Sequence, residues 1–502
     1  MRKLPVALAL IPAAALVASC SGSGGTASGG STAAQQAALV TAGPTETGSP
    51  QPGSTQPGST QSGYAQTPTQ SAQATQTQVK VVTDGLGDPY EIAYGPDGQL
   101  WVSEKSGLKV TRVDPQSGAK TTALDLTGKA YHSQDGQDGV LGFALHPDFG
   151  KDQGSDYLYL AYTYKNGDES ATKIVRYTAQ DGQLSDEQPV LTGLPGHNQH
   201  QSARLRYGSD GKLYYSIGDQ GHNYMADYCL PNHAQDLPTA AQVSASDWSL
   251  YQGKVLRINP DGSVPDDNPE LNGVRSHVYA YGMRNPDGMD FAGDTLYTAE
   301  NGPLTDDEYN RIQKGGNYGW PNVAGWKDDK AYVYSNWSQA SGGCQKVTYN
   351  PDPATPPAQV PTTQENAFTQ EMVPPLSTYG TTVDSGHNFG PTQVCPDAAS
   401  AYMCWPTIAP GSLKVFGDDV LVTSMKNGTV FKLSKDGKSY EELYRTVNRY
   451  RDVTLSADGK TLYIATDSEG QHMVRGQGGT PTTDLANPGA ILAVPYEQAT
   501  KQ

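Results

Sequence analysis

Arg284, Lys426, Arg449 and Arg451 each sit in a short polar segment that leads into an apolar run: Met283-Arg284-Asn285-Pro286, Ser424-Met425-Lys426 and Asn448-Arg449-Tyr450-Arg451. Gly136-Gln137-Asp138-Gly139 and His200-Gln201-Ser202-Ala203-Arg204 stand in equivalent places. If the apolar runs are inner strands of one ring, all five segments surround a common channel. Guanidinium and ammonium groups that converge in this way suit a ligand with several carboxylates or phosphates. For any one of the four cations alone, a solvated loop charge or a structural salt bridge is the simpler account. Their convergence stands out because the chain is acidic, with 35 Lys and Arg against 52 Asp and Glu and a net charge of −17. A nucleic-acid binder needs a clustered basic face, so nucleic acid is not expected as a partner.

The elements that must carry these segments are strands. Charged residues make up only 17% of the chain, with 56 Gly and 35 Pro, a turn-rich composition that favours an all-β fold over a helical bundle. Ile92 to Val102, Leu205 to Tyr215 and Val453 to Tyr463 share one pattern, an apolar alternation, a turn containing Asp-Gly and a second alternation. Asp-Gly supplies the positive φ that a tight hairpin turn demands. Looser copies lie at Phe143 to Asp148, Met289 to Tyr297 and Leu413 to Val422, and a second hairpin follows some copies, at Glu104 to Val113 and Met425 to Leu433. Two hairpins per repeat make a four-stranded antiparallel blade, and six blades closed in a ring make a β-propeller. A sandwich or a pair of barrels with chance turns is the competing account, but it does not explain why the turn recurs in one apolar frame. The turns are unevenly spaced across Asp210, Asp294 and Asp419, so long insertions leave the middle blades. Lengthened loops of this kind build sites over the channel.

Residues 1–20 read as an export signal, with Arg2 and Lys3 ahead of an apolar run from Leu4 to Val17 that is too short to span a bilayer. The run ends in Val17-Ala18-Ser19-Cys20, which resembles the bacterial lipoprotein signal, in which the cysteine takes the lipid; an ordinary secretory signal is the alternative. Both readings export the protein, and the first limits membrane contact to a lipid anchor on Cys20. Residues 21–78 are almost entirely Ser, Thr, Gln, Gly, Ala and Pro, with Glu46 as the only charge, which cannot offset the entropy of ordering. This tether has a reach of roughly 40 Å and leads into a body at residues 79–502. Beyond Cys20, four cysteines remain in an oxidising compartment. Cys395 and Cys404 are close enough in sequence to staple one loop; Cys229 with Cys344 would then be the leftover pair, a pairing the sequence does not settle.

Several longer stretches, in order, resemble the soluble pyrroloquinoline quinone (PQQ)-dependent glucose dehydrogenases and their aldose sugar dehydrogenase relatives. They are Asp135 to Gln137, Leu141 to Phe149, Ile217 to Gly221, Lys314 to Gly325, Cys404 to Thr407 and Asn448 to Val453, within a resemblance running from about Gly87 to Val494. The resemblance implies a six-bladed propeller that binds PQQ and calcium and oxidises an aldose at C1 to the lactone, with electrons leaving to an external acceptor. It also admits a homodimer. The quinone carries three carboxylates, which gives the basic ring a ligand, and the implied cofactor contacts fall on Gln137, Arg284, Asn285, Thr407, Lys426, Arg449 and Arg451. A cofactor-bound calcium would take backbone oxygens of Gly302 and Pro303. Further calcium ligands are implied at Glu308, Tyr318, Ala324, Trp326, Asp328 and Glu365.

The same resemblance makes His200 the general base for the anomeric hydroxyl, Asp219 the group that orients it, and Arg284 the stabiliser of developing negative charge. Substrate contacts are implied at Gln137, Gln199, Tyr224, Tyr402 and Trp405. Gln199 replaces an acidic residue of the glucose enzymes and Tyr224 a glutamine, which removes hydrogen-bond partners for sugar hydroxyls and puts glucose itself in doubt. Ala203 stands where the family often has glycine. Two other classes compete: a calcium-dependent propeller hydrolase of the lactonase type, and a non-catalytic, lipid-anchored sugar-binding propeller. The first, with His200 activating water, gives no reason for three arginines and a lysine; the second would hold His200 and the basic ring as ligand contacts and would show no turnover when quinone and calcium are supplied.

Overall fold

Among the described residues, alternating apolar residues build six four-stranded antiparallel sheets, three of whose first hairpins turn at Asp-Gly, together with three two-stranded ribbons, in a computed structural model of the chain. The structure describes residues 79–497 except 152, 304, 331, 351–355, 380–406 and 474–480. The signal, the tether, Cys20, Cys395, Tyr402, Cys404 and Trp405 therefore lie outside the described residues. The inner strands of blades 1 to 6 are Pro89–Tyr94, Val140–Leu145, Ser202–Tyr207, Gly288–Ala292, Pro410–Phe416 and Tyr450–Leu455. They neighbour one another in chain order around a closed ring. Blade 6 is completed from both ends of the body, because Lys80–Thr83 pairs with Ile491–Pro495 outside Thr461–Thr466.

All six repeats found in the sequence mark the first hairpin of a blade. At Gly98 an added Cβ would meet nothing within 4 Å, so the backbone φ of 75° alone selects glycine there. The aspartate fixes the same turn from the other side. Asp97 Oδ1 accepts from the Gln99 amide at 3.2 Å, and Asp210 and Asp458 repeat the contact with Lys212 and Lys460 at 3.1 Å.

Between blades the sheet faces pack apolar on apolar. Leu141, Tyr159 and Ile174 of blade 2 share one buried cluster with Leu205, Tyr215 and Leu256 of blade 3. Each fully buried Leu or Ile contributes about 1.5–3 kcal/mol relative to exposure.

Charge fills the channel instead. Arg204, fully buried, donates to the Tyr90 carbonyl at 2.9 Å, to Glu91 Oε2 at 2.6 Å, and to the Asp287 and Gly411 carbonyls at 2.6 Å. Lys414 and Arg206 share Glu91, and Asp452 lies 3.5 Å from both Arg204 and Lys414. One guanidinium thus ties segments of blades 1, 3, 4 and 5 and holds the inner ends in register.

The long insertions leave blades 3 and 4, as the uneven turn spacing predicts. One lies between Leu213–Ile217 and Lys254–Ile258, and the other between Asp307–Ile312 and Ser377–Tyr379. Cys229 and Cys344, the leftover pair of the sequence reading, form a disulfide that joins the two. No helix among the described residues is long and apolar enough to cross a membrane.

Candidate active site

The strand ends that carry the polar segments are bent on purpose. In five of the six blades the pairing register of the inner strand shifts near its start, between Ser202 and Leu205 in blade 3 for example. Such irregularities re-aim side chains at a rim. Left-handed backbone gathers at the same end: His200, Ser202 and Ala203 have φ of 45°, 52° and 72°. Ala203, where glycine would be unstrained, therefore holds a costly conformation that the surrounding blade must enforce.

These ends surround a cavity of about 490 Å³ whose walls include Gln137, Gln199, His200, Tyr224, Arg284 and Asn285. His200, 6% exposed, places Nδ1 2.7 Å from Asp219 Oδ1. With the carboxylate accepting, Nδ1 carries the hydrogen and Nε2 keeps its lone pair. Asp219 is itself fixed on every side: the Gly221 amide donates to Oδ1 at 2.9 Å, and Asn232 Nδ2 and Trp320 Nε1 donate to Oδ2 at 2.8 and 2.7 Å. Burial, followed by the Arg284 charge, holds the imidazole below its ordinary value of 6.5 against the opposing pull of Asp219. Burial alone would raise the Asp219 carboxyl, but the His200 and Arg284 charges and its hydrogen bonds keep it below the usual carboxylate range. The result is a neutral base beside a fixed anion.

Tyr224 stacks on this base, with ring centroids 5.6 Å apart and planes inclined by 28°. The Arg284 guanidinium lies 5.3 Å from the Tyr224 ring and 5.5 Å from that of Trp320, and it donates to the Asn301 carbonyl at 2.9 Å. Asn285 accepts from Ser202 Oγ at 2.9 Å and donates to Asp287 at 3.3 Å, so its amide is oriented from behind.

The remaining cations divide the two readings given to them. Arg449 and Arg451 line the cavity, yet both are paired with Asp467, at 3.0 and 2.7 Å. They are structural ion pairs and cavity walls at once, and the shared carboxylate offsets one of their two charges. Lys426 is 2% exposed and donates to Thr407 Oγ1 at 2.9 Å. Burial draws its ammonium down to about 7, while Asp307 pulls the other way.

Gly302 and Pro303 line the same cavity. The Gly302 amide donates to Asp307 Oδ1 at 2.9 Å, and Asp307 Oδ2 takes the Ile408 and Ala409 amides. Among the described residues no group donates to the Gly302 or Pro303 carbonyl. Backbone carbonyl oxygens with no donor among the described residues, on two residues that line the cavity, are the kind of hard ligand a calcium ion takes. Beside them Glu300 is buried, with Oε1 accepting from the Arg284 amide and Oε2 without a partner among the described residues. Burial raises its carboxyl well above the usual range, with Glu308 adding to the effect.

Glu308 and Glu365 both reach the loop at residues 324–329. Glu308 Oε1 accepts from Gly325 at 2.7 Å, and Glu365 accepts from Ala324 at 3.0 Å and Asp329 at 2.9 Å. Burial pushes their carboxyls up to about 7 and about 8. Asp328 accepts from the Lys330 amide, Trp326 is exposed, and the Tyr318 hydroxyl donates to the Arg311 carbonyl. Among the described residues no three His, Cys, Asp or Glu side chains form a metal-binding group, so an ion here would depend on backbone oxygens.

Sequence reasoning did not single out Asn232, Trp320, Asp287, Glu300 or Asp467. Asn232, Trp320, Asp287 and Asp467 act on site residues from loop positions that carry no repeat, Glu300 does so from the end of strand Thr295–Glu300, and only Trp320 lay within a matched stretch.

Residues 86–371 match the family described as glucose/sorbosone dehydrogenase. Quinoprotein glucose dehydrogenase B of Acinetobacter calcoaceticus is 41% identical over 459 residues, which covers 86% of this chain and 94% of that protein. Aldose sugar dehydrogenase YliI of Escherichia coli K12 is 31% identical over 265 residues, covering 51% of this chain and 64% of the relative. In fold the chain is similar to the PQQ-bound form of an aldose sugar dehydrogenase from Streptomyces coelicolor, with a TM-score of 0.54 at 23% identity over 84% of this chain and 98% of that one.

Proposed function

The chain belongs to the glucose/sorbosone dehydrogenase family, and from that premise we propose that it oxidises an aldose at C1 to the lactone with PQQ and calcium. Dehydrogenation of a sugar is the activity for which its relatives are named, and the PQQ-bound neighbour supports the choice of quinone. The observation that carries the reading is the His200–Asp219 pair, which faces a cavity walled by Arg284, Arg449 and Arg451.

When bound, the quinone supplies the acceptor for the C1 hydride and calcium supplies Lewis acidity beside it. Gly302 and Pro303 would hold the calcium through their carbonyl oxygens. Lys426, Arg449, Arg451 and Arg284 would answer the carboxylates of the quinone, and Gln137, Asn285 and Thr407 would complete its hydrogen bonds. His200 Nε2 takes the proton of the anomeric hydroxyl as the hydride leaves C1. The pair Nδ1–H and Asp219 stabilises the imidazolium so formed, and Asp219 remains ionised throughout. Arg284 lies close enough to Tyr224 and His200 to stabilise negative charge that develops in the cavity. Gln199 and Tyr224 form the wall met by the sugar, and the enzyme passes its electrons to an external acceptor. We place the mature protein outside the cytoplasm, anchored through Cys20.

The full chain supplied with PQQ and calcium should reduce an electron-accepting dye only when an aldose is added. Omitting either addition should abolish the signal, and quinone binding without oxidation of any sugar would overturn the substrate class.

A further inference from the structure

Tyr224 is held in place by a different blade from the one that carries it. The three-residue turn Met225–Asp227 that follows it buries no residue, and Asn223 and Met225 flanking Tyr224 have left-handed φ of 63° and 44°. Left alone, such a segment would relax, because strain persists only where its surroundings over-determine it. The restraint comes from the blade 4 insertion. Asn223 Nδ2 donates to the Ser335 carbonyl at 2.9 Å and Asn223 Oδ1 accepts from the Ser338 amide at 3.2 Å. Tyr228 donates to the Val347 carbonyl at 3.2 Å, and the next residue forms the Cys229–Cys344 disulfide. Tyr349 of the insertion meets Tyr224 edge-on at 6.3 Å, packs on Tyr228 at 5.5 Å, and is backed by Trp337 at 4.9 Å. Trp337, Ala340, Cys344, Val347 and Val360 give this insertion a small core of its own.

We infer that the Cys229–Cys344 disulfide and the Tyr228, Trp337 and Tyr349 rings form a clamp that positions Tyr224 against His200, so that the blade 4 insertion selects the sugar. This rests on the sugar-dehydrogenase reading. The clamp acts on one wall of the pocket only, because His200 and Asp219 are held separately by Gly221, Asn232 and Trp320. Trp320 in turn is anchored to Gly282 and Gln235, away from the disulfide. Loss of the clamp therefore weakens sugar binding and selection while leaving proton transfer in place.

The test compares the full chain with the C229S/C344S double variant, each with and without Tyr224→Ala. Hydrogen exchange of peptides covering residues 222–228 should quicken in the double variant while blade strands keep their protection. KM for the preferred aldose should rise about ten-fold, with kcat within about two-fold and a flatter ranking of sugars. If the clamp works through Tyr224, removing the disulfide in the Tyr224→Ala background should add less than about two-fold to KM. Tyr349→Ala, which keeps the disulfide, should repeat the pattern, and it carries the test if the double variant does not fold. Unchanged exchange, or the same increment in KM in both backgrounds, overturns the inference. A wild-type protein that oxidises no aldose overturns sugar selection together with the parent reading, while quickened exchange would still support the clamp itself.

Discussion

The indole nitrogen of Trp320 donates to Asp219 Oδ2 at 2.7 Å, on the carboxylate oxygen opposite the one that meets His200. The two residues are 101 positions apart and belong to different blades, so the orientation of the base depends on an insertion as well as on its own loop. Trp320→Phe should keep the ring beside Arg284 and remove only the donor. A hydrogen bond to a charged group contributes about 1.5–3 kcal/mol, so kcat should fall roughly ten- to hundred-fold with little change in KM. Steady-state kinetics of the variant check this.

The acid limb of kcat/KM should lie below the ordinary imidazole value of 6.5, because burial and Arg284 disfavour the charged ring. The base works when neutral, so a lowered pKa keeps it active into mildly acid solution. Asp219→Asn removes the anion that pulls this pKa upward, so the limb should move further to acid while kcat drops. A pH profile for both proteins measures the two shifts.

Lys426 leads to a proton count. With its free-state pKa drawn down to about 7, it is mostly neutral at pH 8, and a carboxylate arriving beside it favours the charged form. Quinone binding at pH 8 should take up a proton and should tighten as the pH falls toward 7. Calorimetry in buffers of different ionisation enthalpy should show the uptake, and Lys426→Gln should abolish it.

The propeller frame was legible because its signal repeats. Asp97, Asp210 and Asp458 lock equivalent turns, and three copies of one device reveal a period that no single turn could. The cations of the site were legible as a group from the polar segments that carry them, although only Arg284 and Arg451 belong to the inner strand of a blade or its approach, whereas Lys426 lies in the turn after the second strand of blade 5 and not before an inner strand. Asp219 lay in a matched stretch, and His200 followed from its polar segment and the family resemblance. The partners that fix them were not. Asp467 pairs with two of the arginines from just beyond a strand end with no marker of its own, and Asn232 and Glu300 meet Asp219 and Arg284 within their own blades through loop contacts that no motif announces. Arg204 lies in the same segment as His200, yet its acceptors are spread over blades 1, 4 and 5, so nothing local distinguishes it from a loop charge.

Arg204→Ala should therefore be a stability variant. It strands Glu91 and Asp452 as buried carboxylates facing fewer cations, and breaking a buried pair costs about 3–5 kcal/mol. Denaturant unfolding should show the loss directly.

Removal of calcium should lower the thermal midpoint and weaken quinone binding together, if Gly302 and Pro303 hold the ion that faces the cavity. Calcium should restore both. Magnesium should restore them poorly, since it demands a tight octahedral shell that two carbonyls do not supply.

The central claim is that His200 takes the anomeric proton as the sugar loses its hydride. An anaerobic single turnover tests it most directly: the full chain loaded with PQQ and calcium is mixed with an aldose, and the quinone absorbance is followed alongside a His200→Ala variant that binds the quinone equally well. The oxidised quinone spectrum should be lost rapidly in the wild type and about 10²–10⁴-fold more slowly in the variant. Equal rates in the two proteins would contradict the central claim.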